Sequence, residues 1–376
     1  MTERLFDKDS YIKNFTAICL SSVEEKGVFK TVLDKTAFFP EGGGQKSDTG
    51  FLNDIEVFNV QEENGIIYHY THLPIKENTV VEGALNWDER FYKMQNHTAE
   101  HIISGLVFKK FGYSNTGFHL GEDFITMDYT GAISESELEE IEFKANRLAS
   151  EGHPVKAYYP ENLEGITYRS KLDLKENVRI VDIEGIDVCA CCAPHVKNTA
   201  ETGMIKILSC QRYKGGVRLL AKSGMFAFRE LDTYQKTLKK LSALLSLPPE
   251  ETFLGVEKLM KKIEEQRYEL NGLKAEKLKT ELENSSLPYA FVDSPELLKD
   301  AVNILFKKHN TTCGAFAGDD ESGYRFMILS DLKNIKDVLK EGLNASGGGR
   351  DNMVQGIVKA SREEITKFFD KVLTIC

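Results

Sequence analysis

Two pairs of metal-competent side chains stand about ninety residues apart in this chain, His97-Thr-Ala-Glu-His101 and Cys191-Cys-Ala-Pro-His195. Together they offer three imidazoles and a thiolate, a donor set suited to Zn²⁺. The first pair lies in a stretch from Asp88 whose apolar residues recur at helical spacing and which ends near Gly112. Residues four apart on a helix project from one face, so His97 and His101 can converge on one ion. The second pair follows the strand-like Val178-Arg-Ile-Val-Asp-Ile183, and Pro194 breaks any helix there. A helix would therefore supply two ligands and a loop the other two. Cys189 and Cys192 remain open as substitutes for Cys191. Four protein ligands complete the tetrahedron usual for a structural site, whereas a catalytic zinc keeps one position for water or substrate.

A second chemical element precedes the histidines. Thr36-Ala-Phe-Phe-Pro-Glu-Gly-Gly-Gly-Gln-Lys-Ser-Asp-Thr-Gly50 reads as a glycine-rich turn after the apolar strand Val28 to Leu33. Glycines such as Gly43 and Gly44 let the backbone reach positive φ and bring N–H groups close to a ligand, and Gln45 both donates and accepts. Neither the phosphate-loop nor the dinucleotide fingerprint is present.

Taken together, these motifs resemble the editing half of alanyl-tRNA synthetases and their freestanding relatives, the AlaX-type trans-editing proteins. The family's GGGQxxDxG loop reads here Gly42-Gly-Gly-Gln-Lys-Ser-Asp48-Thr-Gly50, and its HxxxH reads His97 to His101. Its Cys-Gly-Gly-Thr-His-like segment, preceded by Gly-x-Asp, reads Gly185-Ile-Asp187 and then Cys191 to His195. Leu120-Gly-Glu-Asp-Phe-Ile-Thr-Met-Asp128 looks like the family's Gly-Glu-Asp strand, and Gly216-Val-Arg218 like its Gly-Val-Arg strand. The resemblance covers roughly residues 1 to 225. One departure is that Cys192, Ala193 and Pro194 replace Gly, Gly and Thr, which removes a hydroxyl and adds a thiol.

The resemblance implies a zinc-dependent hydrolase that deacylates tRNA for alanine mischarged with Ser or Gly. It places Zn²⁺ on His97, His101, Cys191 and His195, and gives Thr98, beside the first ligand, the task of sensing the amino-acid side chain. The Gly43 and Gly44 amides with Gln45 would meet the carbonyl or ribose. Because a site that hydrogen-bonds the seryl hydroxyl leaves its polar groups unpaired with Ala, activity on Ser should exceed activity on Gly. A non-catalytic zinc module that binds RNA is the alternative. A phosphodiesterase is disfavoured, since no Asp-His-His motif occurs in the chain.

The elements that must position these residues suggest an α+β multidomain protein. Residues 1–87 read as short strands forming a small β-barrel, and 88–225 as a two-layer α/β domain housing the metal. Residues 226–285 turn to Lys, Glu and Leu with an a/d-like pattern, interrupted by Pro248-Pro249, which suits a helical hairpin or a dimer coiled coil. Residues 286–376 regain α/β alternation and contain Gly347-Gly-Gly-Arg350-Asp-Asn-Met-Val-Gln355-Gly356. That segment resembles the DHH-associated domain, which implies nucleic-acid binding or homodimerisation through the C-terminal half; without the family context it reads as a loop between strand and helix.

Composition sets the outer limits. No apolar run approaches the ~18 residues of a membrane span, and the start Met1-Thr-Glu-Arg is no signal peptide. Seven cysteines, three of them crowded at 189 to 192, fit a reducing compartment, so a cytoplasmic location is expected. The net charge of −10 argues against a general nucleic-acid binder. A tRNA surface would have to be local, and the candidates are Lys109, Lys110, Arg212, Lys214 and Arg218.

Overall fold

The computed structural model describes residues 1–121, 123–170, 177–332, 335–350 and 352–375. It divides into two compact units, Met1–Lys239 and the remainder from Lys240. Among the described residues, no helix is long and apolar enough to cross a membrane.

The first unit begins with β1 (Glu3–Arg4), the single turn α1 (Leu5–Lys8), β2 (Asn14–Glu25), β3 (Val28–Leu33) and β4 (Lys35–Thr36). It continues with β5 (Gly50–Leu52), β6 (Ile55–Glu63), β7 (Ile66–Thr71) and β8 (Val80–Leu85). Six strands follow one another in the order β2-β3-β7-β6-β5-β8, and β8 pairs back onto β2 to close the ring. Every second residue of β7 and β8 is buried, because period-two patterning turns one face of each strand inward. Leu33, Leu52, Val57, Val60, Ile67 and Val81 fill that interior. The turns Lys26-Gly27 and Asn64-Gly65 have positive φ at both positions, which matches the twist of a tight hairpin. The glycine run 42–44 lies in the connection between β4 and β5.

Next come α2 (Trp87–Phe111), β9 (Asn115–Leu120), β10 (Ile125–Tyr129), α3 (Glu135–Glu151) and β11 (Val155–Tyr158). After these the chain forms β12 (Ile180–Ile183), β13 (Asp187–Ala190), β14 (Ile205–Tyr213) and β15 (Gly216–Ser223). One antiparallel sheet has the order β14-β15-β10-β9 and a second the order β11-β12-β13. Ala99, Ile102, Ile103 and Val107 of α2 share a core with Ile125, Met127, Leu219 and Ala221 of the first sheet. The start of α3 is fixed by a reciprocal capping box, Ser134 accepting from the Glu137 N–H and Glu137 accepting from the Ser134 N–H. Leu120 to Asp128, expected as one strand, is instead a hairpin: β9 ends at Leu120, Gly121 N–H donates to Phe124 O at 3.0 Å, and β10 starts at Ile125. Glu122 of that motif lies outside the described residues.

The second unit takes up the end of α4 (Gly224–Leu245) and then α5 (Thr252–Asn284), β16 (Tyr289–Phe291), α6 (Leu298–His309), β17 (Cys313–Asp319) and β18 (Gly323–Leu329). It ends with α7 (Ile335–Leu343), β19 (Ser346–Arg350), β20 (Met353–Val358) and α8 (Arg362–Ile375). The sheet order is β16-β17-β18-β20-β19. Alternate residues of β17 enter two cores, Ala315 and Ala317 against α6 and Phe316 against Leu339 and Phe369 from α7 and α8. The glycine run 347–349 forms strand β19 and not a loop, and a Cβ at Gly349 would fall 1.9 Å from Met353 O of β20. Asp351 lies outside the described residues. The heptad-like residues Ile263, Leu270 and Leu273 of α5 are exposed.

Candidate metal centre

The sequence-spaced pairs meet inside the first unit. Ligand atoms of His97, His101, Cys191 and His195 all lie within 4.8 Å of one another. His97 and His101 stand one turn apart on α2, which is enclosed from Met94 to Val107 on nearly every side, so both rings are removed from water. Cys191 and His195 lie on the loop that leaves β13. Cys191 Sγ is 3.5 Å from His97 Nε2 and 3.4 Å from His195 Nε2.

Each imidazole is braced through its other nitrogen. His97 Nδ1 bonds Gln45 Oε1 at 2.9 Å, His101 Nδ1 bonds Asp187 Oδ2 at 2.9 Å, and His195 Nδ1 bonds Thr98 Oγ1 at 3.0 Å. A histidine held at Nδ1 presents Nε2 in a fixed direction, the arrangement typical of ligating imidazoles. Arg169 extends the second brace, donating from Nε to Asp187 Oδ1 at 2.6 Å and from its terminal nitrogen to Oδ2 at 2.7 Å. Burial raises the Asp187 carboxyl, but the hydrogen bonds from His101 and Arg169 outweigh it and hold the pKa down at about 2. Burial, and then the neighbouring imidazoles, push His195 well below its ordinary range, which keeps a nitrogen lone pair available. The Cys191 thiol is pushed up, first by burial and then by Cys192 and Cys189. A thiolate at this position therefore requires a cation. The donor set, the inward Nε2 atoms and the cation-demanding thiol all fit a metal ion.

The ligand loop has its own clamp. Arg179 donates from one terminal nitrogen to Cys191 O at 3.0 Å and to Ala193 O at 2.8 Å, while its backbone carbonyl accepts from the Cys191 N–H at 3.0 Å. Asp7 faces the same guanidinium at 3.3 Å. Cys192 is exposed and packs beside Gly42 and Gly43. Cys189 groups instead with His101 and Asp187, in a set that shares His101 but includes neither His97 nor His195. Cys191 is thus the thiol the fold brings to the three imidazoles.

The glycine loop borders the cluster. Gly43 and Gly44 are exposed at φ +59° and +84°, and a Cβ at Gly44 would fall 2.4 Å from Phe118 O. Gln45 is buried, and its Nε2 has no hydrogen-bond partner among the described residues. Asp48 fixes the stem of the loop by accepting from the Phe39 N–H at 2.7 Å and from Arg90 Nε at 2.9 Å. Thr98 is fully buried, and its hydroxyl meets His195 and the Val196 N–H rather than open space. Its place one residue after His97 turns it about 100° around the helix, away from the face the ligands share.

The basic candidates do not gather at the cluster. Lys109 donates to Gly185 O and Lys110 pairs with Glu140 at the C-terminal end of α2. Arg218 makes a two-point pair with Asp128 at 2.6 and 2.7 Å and lies over the Tyr213 ring, as does Lys214. Arg212, on the same hairpin, is exposed. One group that sequence reading missed is Glu100, a buried carboxylate whose Oε2 lies 3.7 Å from His101 Nε2. Its Oε1 accepts from Ser104 at 2.6 Å and from Asn115 at 2.5 Å. Only its place inside His-x-x-Glu-His signalled it. Arg169 and Arg179 carried no signal, because their partners are distant in sequence or belong to the backbone.

Comparison with known proteins agrees with this geometry. Residues 178–220 match the Threonyl and Alanyl tRNA synthetase second additional domain, and residues 12–89 match the class II (A) tRNA synthetases. An alanyl-tRNA editing protein AlaX-L of Pyrococcus horikoshii is 30% identical over 398 aligned positions, which cover 97% of this chain and 96% of that protein. An alanine–tRNA ligase of Methanococcus maripaludis is 32% identical over 397 positions, covering 99% of this chain and 44% of the ligase. For the corresponding ligase of Pyrococcus furiosus the identity is 33%, over 73% of this chain and 32% of the ligase. The chain thus spans less than half the length of these ligases.

Proposed function

Because the chain belongs to the family of alanyl-tRNA editing proteins related to alanine–tRNA ligases, we propose that it hydrolyses the ester joining serine, and more slowly glycine, to tRNA for alanine. The observation that carries this reading is the converging cluster of His97, His101, Cys191 and His195, with all three imidazoles braced from behind beside an exposed glycine loop. We assign the cluster to Zn²⁺, which when bound supplies a Lewis-acid centre that orients substrate or polarises water.

The remaining work falls to the chain's own residues. An aminoacyl ester is already activated, so hydrolysis mainly needs a positioned water and a partner for the developing oxyanion. Gly43 and Gly44, exposed and in the left-handed region, can turn their N–H groups toward the ester carbonyl. Gln45 Oε1 holds His97, while its amide nitrogen is left as a donor for a substrate oxygen. A buried donor without an acceptor costs about 1–3 kcal/mol, which favours binding of a group that satisfies it. Thr98 serves as a positioning residue for His195, since a contact with a seryl hydroxyl would require its own hydroxyl to leave that ring. Glu100 is the carboxylate we assign to accept the proton of the attacking water.

A second reading, a non-catalytic zinc module that binds RNA, draws on the fact that four protein donors fit a closed structural site. Deacylation of seryl-, glycyl- and alanyl-tRNA by the zinc-loaded chain separates the two. The hydrolase reading expects seryl ester to be lost at least tenfold faster than alanyl ester, with Cys191→Ala and His97→Ala inactive. Absence of turnover by folded, zinc-loaded protein would favour the binding module, and equal rates on alanyl-tRNA would remove the proofreading role.

A further inference from the structure

One turn before the first ligand, α2 enters a second feature that the hydrolytic reading does not use. Lys93 stands four residues before His97, and Lys46 directly follows Gln45, which holds His97. Both residues line a cleft of about 780 Å³ whose other walls include Phe91, Tyr92, Phe226 and Arg229. The cleft is therefore bordered by the helix that carries His97 and His101 and by the residue that follows Gln45, the brace of His97.

Its walls alternate rings and cations. Tyr92 and Phe226 lie 4.0 Å apart between ring centroids, Arg229 stands over Phe226 at 5.7 Å, and Phe91 is backed by Trp87, outside the lining, at 5.8 Å. Glu89, one of two acidic residues on the lining, is met by Lys93 at 2.6 Å and by the Thr49 hydroxyl at 2.6 Å. Phe91 and Phe226 are only half-buried, and Met225 is 57% exposed. Rings for bases interleaved with cations for phosphates are the features by which single-stranded nucleic acid is held without pairing.

We propose that this cleft holds the unpaired nucleotides just before the 3′-terminal adenosine of the RNA, their bases stacking on Phe91 and Phe226 and their phosphates meeting Lys46 and Arg229. The assignment rests on the proposed function, since it is the esterified 3′ end that must reach the cluster. It also gives a chain of net charge −10 a local route to RNA, since Lys46 and Arg229 of the lining would meet the phosphates of a short single strand and no duplex-binding face is needed.

The test is direct binding of a short single-stranded RNA ending in CCA to the full zinc-loaded chain, with the same RNA paired into a duplex as competitor. Phe226→Ala is expected to weaken single-strand binding about fivefold or more, the range for loss of one stacked base. Arg229 is exposed, so Arg229→Ala retains the fold, and it should both weaken binding and make the salt dependence shallower by about one phosphate contact. In deacylation both variants should raise KM. Duplex bound as well as single strand, or both variants binding like the parent, would overturn the cleft. Wild-type protein that binds the single strand through Phe226 and Arg229 yet deacylates nothing would remove the hydrolase reading and leave the cleft standing.

Discussion

Each imidazole of the cluster is braced by a different kind of partner, an amide for His97, a hydroxyl for His195 and an ionised carboxylate for His101. The carboxylate is the strongest of the three, because Arg169 and His101 together keep Asp187 charged despite its burial. Asp187→Asn keeps the volume and removes the charge, so it should weaken zinc binding about 10–100-fold, the usual effect of losing such a brace. Competition with a chromogenic chelator measures this, and an unchanged affinity would make Asp187 merely structural. A histidine outside the cluster is held neutral by burial alone. His69 is fully buried in the barrel, bonded to Thr36 Oγ1 at 2.8 Å and to Thr31 O at 3.1 Å, and burial lowers its pKa to about 4. A histidine whose folded pKa lies below its unfolded value of 6.5 costs stability as pH falls from 6.5 toward 4, where only the unfolded chain takes up the proton. The loss should reach about 3 kcal/mol. Urea titrations between pH 7 and 4 should therefore show a steeper decline in the parent than in His69→Gln, and parallel curves would contradict this assignment.

At the scale of elements, what was legible in the sequence followed locality. The four donors could be found because spacing four on a helix or in a short loop brings ligands together without knowledge of the fold. Strands β7 and β18 could be read from alternation. Closure of the N-terminal ring rests on β8 returning to β2, a pairing between residues more than sixty positions apart that no local pattern encodes. The same holds for Arg179, whose acceptors are backbone carbonyls. For Thr98, adjacency to His97 in sequence did not reveal that its hydroxyl meets His195 and the Val196 N–H, both distant in sequence. The seam between α2 and the turn before β13 shows how closely these elements must approach. A Cβ at Gly105 would lie 2.5 Å from Ile186 O and 2.9 Å from Asp187 Cβ. Gly105→Ala would gain about 1 kcal/mol of helix propensity. Overpacking against a backbone carbonyl costs about 1–3 kcal/mol, so the clash should win. The variant should melt lower than the parent and bind zinc more weakly, because the displaced turn carries the brace for His101. A higher melting temperature with unchanged zinc affinity would show that the helix can shift freely.

At the scale of the molecule, the division at Lys239 separates the metal chemistry from the rest of the chain. All four donors and their braces, from Gln45 through Thr98 and Asp187 to His195, fall in the first unit. The second unit has its own two cores on either side of a five-stranded sheet. Each unit therefore has the means to unfold as its own cooperative transition. A metal that binds only the folded first unit stabilises that unit by mass action, by about 2.7 kcal/mol at a free concentration one hundred times its dissociation constant. For a domain of about 240 residues a change of 1 kcal/mol moves the midpoint by about 2–4 °C. Calorimetry of the full chain should accordingly resolve two transitions, of which chelation lowers one by roughly 5–10 °C and leaves the other in place. Cys191→Ala should reproduce the chelated profile whether or not zinc is supplied. A single transition that shifts as a whole would mean that the two units fold as one, and that zinc stabilises the C-terminal sheet as well as the site.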